Sequence, residues 1–206
     1  MLPEIFIRNL NVVFVGTSIT ELSNDLGFHY LGANNRFWTM LEFARLTPKL
    51  IISPSERKVL LDAQHHGVLD DRYKRLFFEQ KESELLKHRI GLTDLNRRVL
   101  AGSDADPSAM PKPEDVQRCI QNVEKLNPKI VAFVTSMDIF ERCLQPRYPG
   151  ANRQRGKQDF LIGRSEVWLL GSTSGRSKDT EDLEQVFEDL AERLAATDGS
   201  KSGGAL

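Results

Sequence analysis

The chain has 206 residues, of which 40% are hydrophobic and 28% charged, and its formal net charge is −1. That size holds one compact domain with a substantial core, and the composition is that of a soluble globular protein rather than a disordered or membrane-spanning one. A near-neutral chain is not built to coat nucleic acid by bulk attraction, which needs an excess of cations to neutralise many phosphates, though a local basic face stays open to it. No apolar run reaches the length of a spanning helix, and the first residues lack the basic, apolar and small-residue succession of a secretion signal, so a cytoplasmic protein without membrane contact is expected. The two cysteines, Cys119 and Cys143, have no second thiol or histidine at ligand spacing. They are expected to be buried free thiols, with no metal, iron-sulfur cluster or other cofactor.

In chain order, Val12, Val13, Phe14 and Val15 followed by Gly16 predict a short buried parallel strand. Residues 35–46 predict a helix with Phe37, Trp38, Leu41 and Phe43 as its apolar side chains, stopped before Pro48. Ser53, Pro54 and Glu56 open the next helix, with Val59, Leu60 and Ala63 facing inward. Residues 65–88 resist assignment. A strand is expected over residues 90–95, a helix over 113–126 with Val116, Cys119, Ile120 and Val123 on one side, a strand over 129–134, and a helix over 136–144. Residues 167–170 predict the last core strand, and 180–194 the last helix, with Leu183, Val186, Phe187, Leu190 and Leu194 on one face. This alternation predicts an α/β protein, a three-layer α/β/α sandwich around a central, mostly parallel four-stranded sheet. It forms a single domain over residues 1–195, followed by a small, polar, disordered tail over 196–206.

In such a sheet the ligand site lies beyond the carboxyl ends of the strands. Three polar segments fall there and are expected to converge: residues 16–20 after the first strand, 94–98 after the second and 171–177 after the last. Between the first strand and its helix, Phe28, His29, Tyr30, Asn34, Asn35 and Arg36 gather aromatics, an imidazole, two amides and a cation, a set suited to stacking on a nucleobase. Ser172, Thr173, Ser174 and Ser177 interleaved with Gly171 and Gly175 suit a phosphate cradle, or equally a plain Ser/Gly turn. No triphosphate-binding loop or dinucleotide fingerprint is present. Arg147, Arg153, Arg155 and Lys157, with Arg176 and Lys178 beyond, could form a basic face, but solvated loop charges are the commoner use of such a cluster.

Taken together, the sequence G-F-H-Y-L-G-A-N-N-R-F-W over residues 27–38, I-G-L-T-D-L over 90–95 and L-L-G-S-T-S-G-R-S over 169–177 resembles the uracil-DNA glycosylase superfamily. The nearest branch is that of the mismatch-specific uracil and thymine-DNA glycosylases. The first segment carries the hallmark G-x-x-[FY]-x-x-x-x-N-x-F-W, and the resemblance spans most of residues 11–195, with 65–88 as an insertion. It implies a monofunctional enzyme of base excision repair that flips uracil or a related deaminated base, such as hypoxanthine or xanthine, out of DNA and hydrolyses its N-glycosidic bond. Its partner would be DNA containing the altered base, and one flipped base needs only a monomer.

The resemblance further implies that Tyr30 stacks on the flipped base, that Thr17, Phe28, His29 and Asn96 help to bind it, and that Ser172, Ser174, Gly175 and Ser177 contact flanking phosphates. Arg176 would fill the gap in the duplex. From the residues alone, Tyr30 could instead be a core aromatic, His29 a structural histidine and Asp94 a capping carboxylate.

One departure is chemical. The family's first motif, Gly-x-Asn-Pro-Gly, reads Gly16-Thr17-Ser18-Ile19-Thr20 here, so Ser18 replaces the asparagine that positions the attacking water. A serine is a poor base at neutral pH. Asn35, Asp25 or Asp94 could compensate; the expected catalytic set is Asn35 supported by Ser18, with Asp94 as a further candidate. Residues 72–75 could form a DNA-contacting flap, whereas packing is the commoner use of Leu76, Phe77 and Phe78. Two other readings stay open. One is a module that senses a damaged base with little hydrolysis, and the other is a different small nucleotide- or nucleoside-processing α/β enzyme.

Overall fold

The structure is a computed structural model that describes residues 2–32, 34–100, 110–175 and 182–199. Among these residues the chain runs β1 (Val12–Thr20), α1 (Glu21–Leu26), α2 (Phe37–Phe43), α3 (Pro54–His65), α4 (Asp71–Lys87), β2 (Ile90–Leu100), α5 (Pro113–Leu126), β3 (Ile130–Val134), α6 (Met137–Leu144), β4 (Gly156–Ile162), β5 (Ser165–Leu169) and α7 (Leu183–Gly199). The strands form one sheet in the order β2-β1-β3-β5-β4. Neighbouring pairs among β2, β1, β3 and β5 are parallel, and β4 pairs antiparallel with β5 at the edge.

The sheet therefore has five strands where four were expected. The additional strand, β4, reads Gly-Lys-Gln-Asp-Phe-Leu-Ile, and Gln158 and Ile162 are its buried members. An edge strand with a solvated face carries too few apolar residues to stand out in a sequence, and Lys is favoured there because it discourages further pairing. The two residues Gly163 and Arg164 join it to β5, and Gly163 has φ +61°. That left-handed conformation is the one a two-residue hairpin demands.

Side-chain alternation along the strands divides the core into two layers. Val12 and Phe14 on β1, with Ile130, Ala132 and Val134 on β3, pack against Phe37, Trp38 and Leu41 of α2, Phe77, Phe78 and Leu85 of α4, and Phe187 and Leu190 of α7. Val13 and Val15, with Val131 and Phe133, face the other way, onto Val116, Cys119, Ile120 and Val123 of α5 and Ile139, Phe140 and Leu144 of α6. Both faces of the sheet are thus covered by helices, which explains the near-continuous apolar runs of β1 and β3.

The helices begin where the chain supplies caps. Thr20, Asp70 and Ser136 accept from the amides of Ser23, Tyr73 and Ile139, and Ser53 with Glu56 closes a reciprocal capping box ahead of α3. Residues 65–88 are part of the core: α4 is capped by Asp70, and its Phe77 and Phe78 close around Phe28 with ring centroids 6.0 and 5.3 Å away. Leu76 is exposed, as are Phe43 and Val59, which had been expected to face inward. Each sits one or two positions from a buried neighbour, and such positions turn away from a shared helix face. α7 continues to Gly199, past residue 195 where the tail was expected to start, because Ala195 and Ala196 are strong helix formers. Among the described residues no helix is long and apolar enough to cross a membrane.

Candidate functional site

The order β2-β1-β3 means that the chain leaves β1 to one side for β2 and returns to the other for β3. The level at which β3 ends beside β1 is thus a topological switch point, the kind of place beyond which ligands bind in α/β sheets. Gly16 lies there, in register with Asp94 on β2 and with Val134, the last residue of β3. A Cβ on Gly16 would stand 2.3 Å from Asp94 Oδ1 and 2.9 Å from Tyr30 Oη. Glycine is needed at this point so that a carboxylate and a phenol can close over the strand.

Asp94 is buried, and its Oδ2 lies 3.2 Å from Nδ1 of the equally buried His29. This contact is too bent to count as a hydrogen bond, and Oδ2 receives none from any described residue. On the other side of the ring, His29 Nε2 lies 3.0 Å from the Pro3 carbonyl oxygen. A carbonyl only accepts, so Nε2 carries a proton and donates it to Pro3. The imidazole is thereby anchored to the N-terminal segment and presents Nδ1 to the carboxylate.

Further contacts from distant parts of the chain brace Asp94. Ile5 forms an antiparallel bridge to Leu92 on β2. Glu4 accepts from Thr93 Oγ1 and, at 2.8 Å, from Arg118 Nη1. Arg118 in turn donates through Nη2 to the main-chain oxygens of Asp94, at 2.6 Å, and Leu95, at 3.0 Å. Pro3, Glu4 and Arg118 carry no local signature in the sequence, since their partners lie far along the chain.

The other expected residues take varied places. Thr17 is buried and shares a 2.6 Å hydrogen bond with Thr135, tying the ends of β1 and β3 together. Ser18 is partly buried beside Asn96 in the β1–β2 register, just before a bulge. Asn96 is fully buried, and its Oδ1 accepts from both the main-chain nitrogen and Nε of Arg98, each at 3.0 Å. Tyr30 has φ +57° and stacks on Phe37 with centroids 4.0 Å apart, so Phe37 covers one of its ring faces. Asp25 is exposed on α1, outside this buried cluster.

Two expectations need correction. Phe28 was expected to bind a base, but it is fully buried among Trp38, Phe77 and Phe78 and offers no ring face to a ligand. Asn35 was expected to hold water through its amide. Its Oδ1 instead accepts from Phe37 N at 2.9 Å and Thr173 Oγ1 at 3.0 Å, which occupies both lone pairs in a turn just ahead of α2 and joins it to the loop after β5.

That loop reaches the same edge. Thr173 O accepts from Arg36 N at 3.0 Å, and Gly175 lies so close to Asn34 that a Cβ would stand 2.4 Å from the Asn34 Cβ. Ser172 is buried, and its hydroxyl accepts from Ser174 N at 3.3 Å. The expected contacts of Arg176 and Ser177 lie outside the described residues. The three segments therefore meet, but residues 16–20 and 94–98 lie within β1 and β2, which run on to Thr20 and Leu100, and not after them as expected, because the two strands go on pairing with each other past the end of β3.

The proposed basic face is largely neutralised within the protein. Arg147 pairs with Glu124 at 3.5 Å, Arg153 with Glu141 at 2.5 Å and Asp138 at 3.2 Å, and Lys157 with Glu166 at 3.4 Å. Among the described residues no three His, Cys, Asp or Glu side chains gather as a metal site would require. No family model matches the chain.

Proposed function

We propose that this protein is a monofunctional DNA glycosylase that flips uracil or a related deaminated base, hypoxanthine or xanthine among them, out of DNA and hydrolyses its N-glycosidic bond, with Asp94 in place of the missing first-motif asparagine. The observation that carries the reading is the Asp94 carboxylate, buried at the switch point, closed over Gly16 beside Tyr30 Oη and backed by His29. The resemblance of residues 27–38, 90–95 and 169–177 to the uracil-DNA glycosylases supports it, and so does the convergence of those segments on one edge.

A buried carboxylate suits both demands of this reaction. Its charge stabilises the cationic sugar that develops as the C1′–N bond breaks and the bonding electrons leave with the base. It also accepts a proton from the water whose oxygen forms the new bond to C1′. Asp94 replaces Asn35 in the water-holding role because Asn35 Oδ1 is already committed to Phe37 and Thr173. His29, held by Pro3, packs its ring against the carboxylate rather than touching the base. No lysine is recognisably placed as a nucleophile, so strand cleavage by lyase chemistry is not expected.

The test is single-turnover incubation with single- and double-stranded oligonucleotides bearing uracil or hypoxanthine, followed by alkaline cleavage of abasic sites. Wild-type protein is expected to release base, and Asp94→Asn to slow release about 100-fold or more while DNA affinity holds. Equal losses of release and affinity would overturn the role of Asp94. The near-complete burial of Asp94 and Asn96 favours a second reading, a damaged-base-sensing module. Tight binding by wild-type protein without abasic product would decide for it.

A further inference from the structure

Against the segment 34–36, a cleft of about 400 Å³ opens between the start of α2 and the flank of α3. Arg36, Arg57 and Lys58 line it with Asn34 and Thr39, and Asp62 is its acidic member. Three cations against one carboxylate make it a basic depression on a chain whose net charge is −1.

The three cations differ in what holds them. Arg57 is buried and staples the loop, donating through Nη1 to the main-chain oxygens of Gly32, at 3.1 Å, and Asn35, at 3.0 Å. Arg36 Nη2 is buried and has no hydrogen-bond acceptor among the described residues. A guanidinium nitrogen withdrawn from water and given no acceptor is costly, and it calls for a partner that the protein itself does not supply. Lys58 is exposed, and although Asp62 follows it by one helical turn the two do not pair among the described residues. Asn35 and Arg36 form one wall of the cleft and also bind Thr173 of the loop after β5, so the cleft continues the edge on which the strand-end segments meet.

We infer that this cleft is a phosphate site, in which Arg36 and Lys58 bind a backbone phosphate of the DNA strand whose altered base enters at Asp94. The inference rests on the glycosylase reading for the source of the phosphate, but not for the chemistry of the site. A guanidinium fork meets phosphate oxygens in two parallel hydrogen bonds, and a flexible ammonium nearby adds a point charge. Such a contact would help to offset the cost of extruding a base.

The experiment measures affinity for an undamaged and a uracil-containing duplex across a salt series, for wild-type protein, Lys58→Gln, Arg36→Gln and the control Lys125→Gln, which changes an exposed lysine of α5. Each lost phosphate contact flattens the slope of log affinity against log salt by about 0.9, so each cleft variant is expected to lose about one unit and the control none. Lys58 is on the surface, so its variant stays informative even if Arg36→Gln folds poorly. Unchanged slopes in both cleft variants, or an equal change in the control, would overturn the DNA contact. A second arm follows the Arg36 Nε–H resonance by NMR during titration with inorganic phosphate and thymidine 5′-monophosphate, and a saturable shift is expected. If wild-type protein binds no DNA but the shift occurs, the phosphate site stands with a free nucleotide as its source and the glycosylase reading falls. If DNA binds and neither slope nor resonance responds to the cleft, the site falls and the glycosylase reading is untouched.

Discussion

Of the carboxylates that meet a cation or an imidazole in this protein, Glu56 and Asp94 are finished differently. Glu56 accepts from the ammonium of Lys81 at 2.7 Å and from the Ser53 amide at 2.8 Å, so both of its oxygens are engaged and α3 is joined to α4. Asp94 approaches His29 only at 3.2 Å, and its Oδ2 accepts no hydrogen bond from a described residue. The more exposed carboxylate is the better satisfied one. The Glu56 pair is closed on itself and serves stability, whereas Asp94 keeps an acceptor available at the cost of some stability, as the proposed reaction requires.

This contrast can be broken by experiment. Asp94→Asn is expected to cut base release about 100-fold or more with thermal stability unchanged or raised; a fall in melting temperature as large as that of Glu56→Gln would make Asp94 a structural residue. Gly16→Ala should act on both properties, because its Cβ must displace Asp94 and Tyr30. A loss of about 1–3 kcal/mol in urea unfolding, together with base release slowed about 10- to 100-fold, is the expected result.

Glu56→Gln should leave base release alone and lower stability by about 1–2 kcal/mol near neutral pH, since it leaves the buried Lys81 ammonium without its anion. Burial by itself would raise the Glu56 carboxyl, but hydrogen bonds from Lys81 and Ser53 outweigh that and hold it below its ordinary value of 4.5. A carboxyl depressed by folding contributes stability that is complete above the ordinary value and vanishes as pH falls through the depressed one. The gap between wild type and variant should therefore close below pH 4.5; a gap that persists in acid would show that packing, not charge, is responsible. The smallest effect concerns the thiols. Burial pushes Cys119 up to about 12 and Cys143 up to about 11, so at pH 8 both should react with a disulfide reagent far more slowly than in urea, Cys143 the faster.

The legibility of the chain followed the range of its interactions. α5 is found at residues 113–126 as expected, because Pro113 marks its start and Val116, Cys119, Ile120 and Val123 repeat at helical spacing. The four parallel strands were readable in part: burial on both faces leaves apolar runs at residues 12–15 of β1 and throughout β3, whereas the polar second halves of β1 and β2 were taken for loops. β4 was not, because an edge strand with polar outward residues resembles a loop. α4 was obscured by its many charges, and its role emerged only once Phe77 and Phe78 were seen around Phe28.

At the site, the sequence by itself determined which segments meet: apolar runs that give way to polar residues at Gly16, Asp94 and Gly171 lie side by side toward one edge of a parallel sheet. It could not assign the roles within them. Phe28, Tyr30 and Asn35 are near neighbours in sequence, yet one is core, one is half-buried against Phe37 and one ties the turn ahead of α2 to Thr173. Only the tertiary structure decided that Asp94 is the residue braced from Pro3, Glu4, His29 and Arg118, and that Arg36 Nη2 lies buried beside a basic cleft. Backbone periodicity is a local property that a sequence displays directly, whereas the hydrogen-bond partner of a side chain depends on which distant segment the fold brings within about 3 Å of it.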